Sequence, residues 1–437
     1  MPNTLADWLI YLESLHPKTI ALGLERVALV KQRLNIQPDF PIIVVGGTNG
    51  KGSVCAMLES ILHAAGYRVG CYTSPHLLDY NERVRIDRHQ VSDEELCATF
   101  EKIELARKSQ QLDSRFRGND GLSEIALTYF EFGTLAAMQC FIAHQVEVAI
   151  LEVGLGGRLD AVNVFDNDCA VIASVDIDHT EYLGETREQI GFEKAGIFRS
   201  GKVAICADSD MPQAMAEHAE KIGVQLWRIG KEFGFTLHQG QWDYRSMAAT
   251  RSSLPYPALR GAFQLHNASA ALAALDVLKD RLPVSMEAVR RGLNEVQLAG
   301  RFQMVPGKPA LILDVAHNPH AARSLAQNLA SLPPCPHAYA VFAMLKDKDI
   351  AGVVEALDPH IDTWLVAGID APRGAAAGEM DHIVQQCRVR GEIQAFQSIA
   401  EALRYACNAA GENDRIVAFG SFYTVAEVMH QRGLRVL

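Results

Sequence analysis

The chain has no excess of basic residues: 41 Lys and Arg stand against 52 Asp and Glu, for a net charge of −11. A general nucleic-acid binder needs a basic face, so that class is not expected. Anionic ligands remain open, because backbone N–H groups at a helix start can bind them. No apolar run approaches the ~18 residues of a membrane span. The start, MPNTLADWLIYLE, lacks both a basic end and an apolar core, so neither a signal peptide nor a membrane partner is expected. Nine cysteines occur in odd number and without a C-x-x-C pair. That argues against a disulfide framework or zinc finger and for reduced thiols in a cytoplasm. What the chain does have is apolar residue, 49% of 437 positions. This excludes bulk disorder and, at about 150 residues per domain, implies two or three domains.

Leu5, Trp8, Leu9, Leu12 and Leu15 fall at helical spacing behind a Thr4-x-x-Asp7 capping box. An apolar run at 42–45 precedes GGTNGKGS; residues 54–65 then look helical and 69–72 strand-like. The alternation recurs at 146–153 and 170–175, which predicts a parallel sheet with helices on both faces. Residues 109–124, SQQLDSRFRGNDGLSE, are polar and turn-rich and read as an exposed loop. Its Arg-x-Arg could hold an anion, but a solvated loop is the better reading. The chain changes character at 254–257, and 265–278 is an Ala-rich helix. From GRFQMV a second alternating series begins, with strands expected at 310–314, 338–342, 363–367 and 415–419. A boundary near Leu298 gives domains 1–297 and 298–437, the second of normal domain size.

The strongest motif is Gly47-Thr48-Asn49-Gly50-Lys51-Gly52-Ser53, between a strand and a helix. Glycines let backbone N–H groups converge on phosphate oxygens, and the helix start adds positive potential. Lys51 would reach the β/γ-phosphates and Ser53 would face Mg²⁺, although Gly52 separates them, unlike the common form. The bland alternative is a tight glycine turn. Glu152 ends an apolar strand in LEVGLGGRLD. It is either a buried carboxylate satisfied by loop N–H groups or, the preferred reading, a Mg²⁺ ligand. His179, in Asp176-x-Asp178-His179-Thr180, and Ser74, in Thr73-Ser74-Pro75-His76, follow other strands. Each is a metal ligand or a structural residue, a cap or turn in the case of Ser74. Lys194 has Ile190, Gly191, Ile197 and Phe198 as helical neighbours. Burial would lower its pKa and let it form a carbamate with CO₂, against the ordinary reading of a snorkelling lysine. In the second half, Asp314-x-Ala316-His317-Asn318-Pro319 joins a strand to a helix. Arg301 either reaches ATP phosphates or makes a surface salt bridge, and Asn267 either contacts adenine or caps its helix.

Together these motifs resemble the dihydrofolate synthase/folylpolyglutamate synthase family of the Mur ligase superfamily, and most of all its bifunctional bacterial enzymes. GTNGKGS, TSPHL, LTYFEFGTLAA, LEVGLGGRLDA, DHTEYLG, EKAGIFRSGK, GRFQ, DVAHNPHAA, MLKDKDIAG and FGSFYTVAEVM occur in family order. The resemblance implies an α/β fold: a P-loop Mur-ligase-like N-terminal domain with a mostly parallel sheet, plus a Rossmann-like C-terminal domain. It implies ATP contacts from Thr48, Asn49, Gly50, Lys51, Gly52, Ser53, Asn267, Arg301 and Asp314. It also implies two Mg²⁺ sites drawing on Ser74, Glu152 and His179, and leaves room for a monovalent cation. Lys51, Lys194, as the carbamylated lysine, and His317 would be catalytic. The pterin cleft would be lined by Ala21, Leu22, Gly23, Leu24, Thr128, Tyr129, Phe130, Glu131, Leu159, Asp160 and Ala161. Two departures stand out. Ala21 occupies a place where the bacterial enzymes can carry an acid, and 113–121 looks inserted.

The implied reaction is ATP-dependent ligation of L-glutamate to 7,8-dihydropteroate and to reduced folates through an acyl phosphate, by a cytoplasmic monomer. Excluding water from that intermediate would call for the second domain to close on the first, with a hinge at 298–300. Three rivals remain. A peptidoglycan-type ligase would want a further N-terminal domain, for which a phosphate loop starting at residue 47 leaves little room. A monofunctional folylpolyglutamate synthase would share the cleft. A P-loop ATPase switch would have no use for Lys194.

Overall fold

The structure is a computed structural model that describes residues 2–18, 20–109 and 124–436. The expected loop at 109–124 lies, apart from its two end residues, outside the described residues. Two compact units form. One holds Met1–Ser74, Asn81–Tyr256 and His266–Glu295; the other holds Pro75–Tyr80, Pro257–Leu265 and Val296–Leu437.

The first unit is built on eight strands: β1 (Ile42–Gly46), β2 (Val69–Tyr72), β3 (Val84–Ile86), β4 (His89–Gln90), β5 (Val148–Glu152), β6 (Cys169–Ile172), β7 (Val203–Cys206) and β8 (Gln225–Arg228). Their order is β4-β3-β2-β5-β1-β6-β7-β8. From β2 to β8 every pair is parallel, and β3 and β4 add an antiparallel edge. All five residues of β1 and of β5 are buried. Covered faces on both sides explain why they read as unbroken apolar runs. The chain leaving β1 returns at β2 on one side, whereas the chain leaving β6 returns at β7 on the other. The order therefore reverses between β1 and β6, where open α/β sheets bind ligands beyond the strand ends.

The first helix, Leu5–Ser14, carries the capping box expected of it: Thr4 accepts from the Asp7 N–H and Asp7 from the Thr4 N–H. It buries Leu5, Trp8 and Leu12, while Leu15 falls at its C-cap. An antiparallel sheet of β9 (Phe233–His238), β10 (Gln241–Ser246) and β11 (Thr250–Leu254) is an addition to the sequence reading. Only its inner side is apolar. Trp242 and Tyr244 are fully buried there, with the Tyr244 hydroxyl donating to Asp276 Oδ2 at 2.9 Å.

The second unit has strands β12 (Gln303–Val305), β13 (Ala310–Asp314), β14 (Ala338–Phe342), β15 (Thr363–Ala367), β16 (Glu392–Phe396) and β17 (Arg415–Phe419). Their order is β12-β13-β17-β14-β15-β16, parallel except for β12. One face packs Phe342, Trp364 and Phe419, the other Leu313, Leu365 and Val425, so this unit too is a helix-covered α/β sheet. Among the described residues, no helix is long and apolar enough to cross a membrane.

Candidate functional site

The loop after β1 is stitched to the loop after β6. Thr48 N–H donates to Ser174 O at 2.7 Å, and its hydroxyl to Asp176 O at 3.0 Å. Ser174 Oγ accepts from Asn49 N–H at 3.1 Å and donates to Asn49 O at 3.0 Å. Gly50, at φ +86°, turns the chain into the helix Lys51–Ala64, whose N-terminus has no side-chain cap. A Cβ at Gly50 would stand 2.7 Å from Asn267 Oδ1, so Asn267 is brought against this loop. Lys51 curls back, Nζ donating to Gly47 O and Thr48 O at 3.0 and 3.2 Å. Ser53 is buried in the first turn. A tight glycine turn into an uncapped helix start, with a lysine folded over the loop, suits a polyphosphate.

Glu152 ends β5, only 4% exposed, and its Oε2 accepts from the Ser74 N–H at 2.9 Å. Satisfaction by a loop N–H is therefore one part of its role. A carboxylate has further lone pairs, and hard oxygens from Glu152 and Ser74 suit a divalent cation. Among the described residues no three His, Cys, Asp or Glu side chains gather as a metal cluster. Mg²⁺ does not require one, since phosphate oxygens and waters fill most of its shell. His179, with φ +51°, has Nε2 4.0 Å from Asp178 Oδ1.

Lys194 lies on the helix Arg187–Ala195 and is 4% exposed. Burial, reinforced by the charge of Lys51, pulls its pKa down to about 7, while Asp178 and Asp160 oppose the shift. Close packing seats that helix. A Cβ at Gly157 would be 2.8 Å from the carbonyls of both Glu193 and Lys194, and the Arg158 N–H donates to Glu193 O at 2.8 Å.

The three segments expected to line the cleft do meet. The Gly23 N–H donates to Leu159 O at 3.2 Å. Arg26 donates to Ala21 O at 2.8 Å and to Glu131 Oε1 at 3.0 Å. Glu131 closes the capping box with Thr128 at the start of the helix Tyr129–Ala143. The Phe130 ring lies 5.7 Å from Tyr72, Leu22 is half-buried and Leu24 is the N-cap of the helix Glu25–Arg33. Buried Asp160 accepts from the Leu155 N–H at 2.8 Å and the Val162 N–H at 3.1 Å, the latter just past Ala161. Burial pushes its carboxyl up to about 7.

In the second unit Asp314 accepts from the N–H groups of Phe302 and Ala316, at 2.9 and 2.8 Å. Burial pushes its carboxyl up against the pull of Arg301, whose guanidinium lies 5.3 Å from the Phe422 ring centroid. His317 Nδ1 is 2.8 Å from Val315 O. A carbonyl only accepts, so Nδ1 carries a proton. Asn318 caps the helix Pro319–Ala330.

Sequence reading passed over Arg26, Arg85, Thr73 and Ser174. Each acts by hydrogen bonds to distant segments, and only the Gly-Leu-Glu-Arg run before Val27 hinted that Arg26 borders a functional loop.

Residues 99–275 match the Mur ligase middle domain, and residues 300–422 the glutamate ligase domain of Mur ligases. The dihydrofolate synthase/folylpolyglutamate synthase of Escherichia coli is 45% identical over 98% of this chain and 95% of its own. The E. coli FolC structure in complex with DHPP and ADP superposes with a TM-score of 0.91 at 43% identity, covering 99% of both chains. A bifunctional folylpolyglutamate synthase/dihydrofolate synthase with Mn, AMPPNP and L-glutamate bound gives 0.88 at 45% identity, covering 99% of this chain and 98% of that one. Likeness of this degree along the whole length means that the chain belongs to the dihydrofolate synthase/folylpolyglutamate synthase family of Mur-type ligases.

Proposed function

We infer that this protein joins L-glutamate to 7,8-dihydropteroate and to reduced folates at the expense of ATP. The observation that carries the reading is the convergence of a phosphate loop, a buried strand-end carboxylate and a buried low-pKa lysine at one edge of one sheet. A slow ATPase switch would need only the first of these. A chain-extending folylpolyglutamate synthase would share them all and is separated only by its failure to use dihydropteroate.

In the first step a carboxylate oxygen of the folate substrate attacks the γ-phosphorus of ATP, the bond to the β-phosphate breaks, and ADP leaves. Lys51 and the N–H groups of residues 50–53, at the uncapped helix start, hold the phosphates and offset the charge that builds on them. Ser74 and Glu152 would hold one divalent cation, and His179 would help to hold a second. Bound there, they would supply further neutralisation of the phosphoryl oxygens. The resulting acyl phosphate is attacked by the neutral amine of L-glutamate, and the tetrahedral intermediate expels phosphate to leave an amide. Lys194, neutral for much of its population near pH 7, adds to CO₂ and releases a proton. The carbamate so formed sets a negative charge opposite Lys51. The segments 21–24, 128–131 and 159–161 hold the pterin end. The family resemblance assigns Arg301, Asp314 and His317 to the nucleotide as well. The enzyme works as a monomer in the cytoplasm, on small molecules alone.

The test is phosphate release from ATP with Mg²⁺ and L-glutamate, given dihydropteroate, a reduced folate, or neither. Release with both and not without them is expected. Release independent of either would favour the switch, and release with the reduced folate alone the monofunctional synthase.

A further inference from the structure

Arg85 stands on β3, outside every motif of the reaction, and all five of its N–H directions are occupied. Nε and Nη2 grip Glu59 at 3.1 and 2.8 Å, and Nη2 also meets Cys71 Sγ at 3.3 Å. Nη1 donates to Thr73 Oγ1 at 3.1 Å and to Glu82 O at 2.8 Å. Glu59 belongs to the helix that begins at the phosphate loop. Thr73 immediately precedes Ser74, whose N–H holds Glu152. One guanidinium thus ties the nucleotide-binding helix to the turn that carries Ser74, whose N–H in turn holds Glu152.

We propose that Arg85, acting through Thr73, is a positioning residue for the divalent cation. The proposal rests on the reading that Ser74 and Glu152 hold that cation. A buried Arg–carboxylate pair is weak support for stability as such, since apolar replacements often do as well. Its fixed fork does, however, set where its acceptors lie. Glu59 also cancels the Arg85 charge, so the guanidinium sits behind a cation site without repelling the cation. Partners behind the direct ligands commonly set metal affinity in this way.

Mn²⁺ binding, read by the paramagnetic resonance signal of the free ion in the presence of ADP, separates the possibilities. Thr73→Val removes one hydroxyl from a half-buried position and is expected to weaken Mn²⁺ binding roughly tenfold. Thr73→Ser restores it, and Arg85→Lys weakens it as well. ADP binding without metal stays unchanged in all three. In turnover, the Mg²⁺ needed for half-maximal rate rises in Thr73→Val while kcat at saturating Mg²⁺ returns to the parent value. Parent-like Mn²⁺ binding by both Thr73→Val and Arg85→Lys, with binding lost in Glu152→Gln, would overturn the role of Arg85 alone. Equal weakening in Thr73→Val and Thr73→Ser would overturn it too, because the hydroxyl would then be irrelevant. Undiminished binding by Glu152→Gln would overturn the metal reading beneath it.

Discussion

Asn267 Oδ1 occupies the space that a side chain on Gly50 would need, 2.7 Å from the position of its Cβ. Gly50 also has φ +86°, where an L side chain is strained. Gly50→Ala is therefore expected to cost about 1–2 kcal/mol of stability from backbone strain. It should cost nucleotide affinity by a larger margin, because the loop must shift away from Asn267. Calorimetric titration with ADP, beside a denaturant melt, checks both.

Arg26 joins the Ala21 carbonyl to Glu131 and so holds two of the three cleft segments together. Arg26→Ala should raise KM for dihydropteroate roughly tenfold or more, the scale of losing a charge-assisted contact. KM for ATP should stay near the parent value. Equal changes in both constants would mean a general loss of structure instead.

Asp160 supplies both acceptors that shape the turn from Leu155 to Val162. Asp160→Ala leaves two N–H groups without their acceptor and is expected to destabilise by about 2–4 kcal/mol. The loss should appear as a lower urea midpoint with an unchanged slope.

Lys194 makes a prediction in pH. Its folded pKa is about 7, against 10.5 for the free side chain. Below pH 7 both folded and unfolded states carry the proton, and the folded state bears the full cost of a buried charge. Between these values the unfolded state binds more protons, so stability rises with pH. In CO₂-depleted buffer Lys194→Met should thus stabilise the protein at pH 6, on the order of 3 kcal/mol. That gain should shrink steadily toward pH 10, as melts across the range would record. Activity is expected to be lost at every pH.

Legibility in the sequence followed burial. β13, β14, β15 and β17 were read at their observed ends because both faces are covered and every strand is an apolar run. β16 was missed: as an edge strand, Glu392–Phe396 has only exposed and half-buried positions and no such run. β5 and β6 are shorter than the runs at 146–153 and 170–175: they span Val148–Glu152 and Cys169–Ile172, the latter starting one residue earlier. At the site, glycines and polar residues directly after buried strands drew attention to 47–53, Glu152 and His179. Arg26 and Glu131 are 105 residues apart, and no local spacing reveals a pair formed only by folding. The same holds for Arg85 and Glu59, which meet across a strand and a helix.

The central claim is that the folate carboxylate is activated as an acyl phosphate. Dihydropteroate labelled with heavy oxygen in that carboxylate, incubated with ATP, Mg²⁺, L-glutamate and the enzyme, tests it directly. One labelled oxygen should appear in the released phosphate for each amide formed, read by mass spectrometry. Amide formation with unlabelled phosphate would contradict the mechanism.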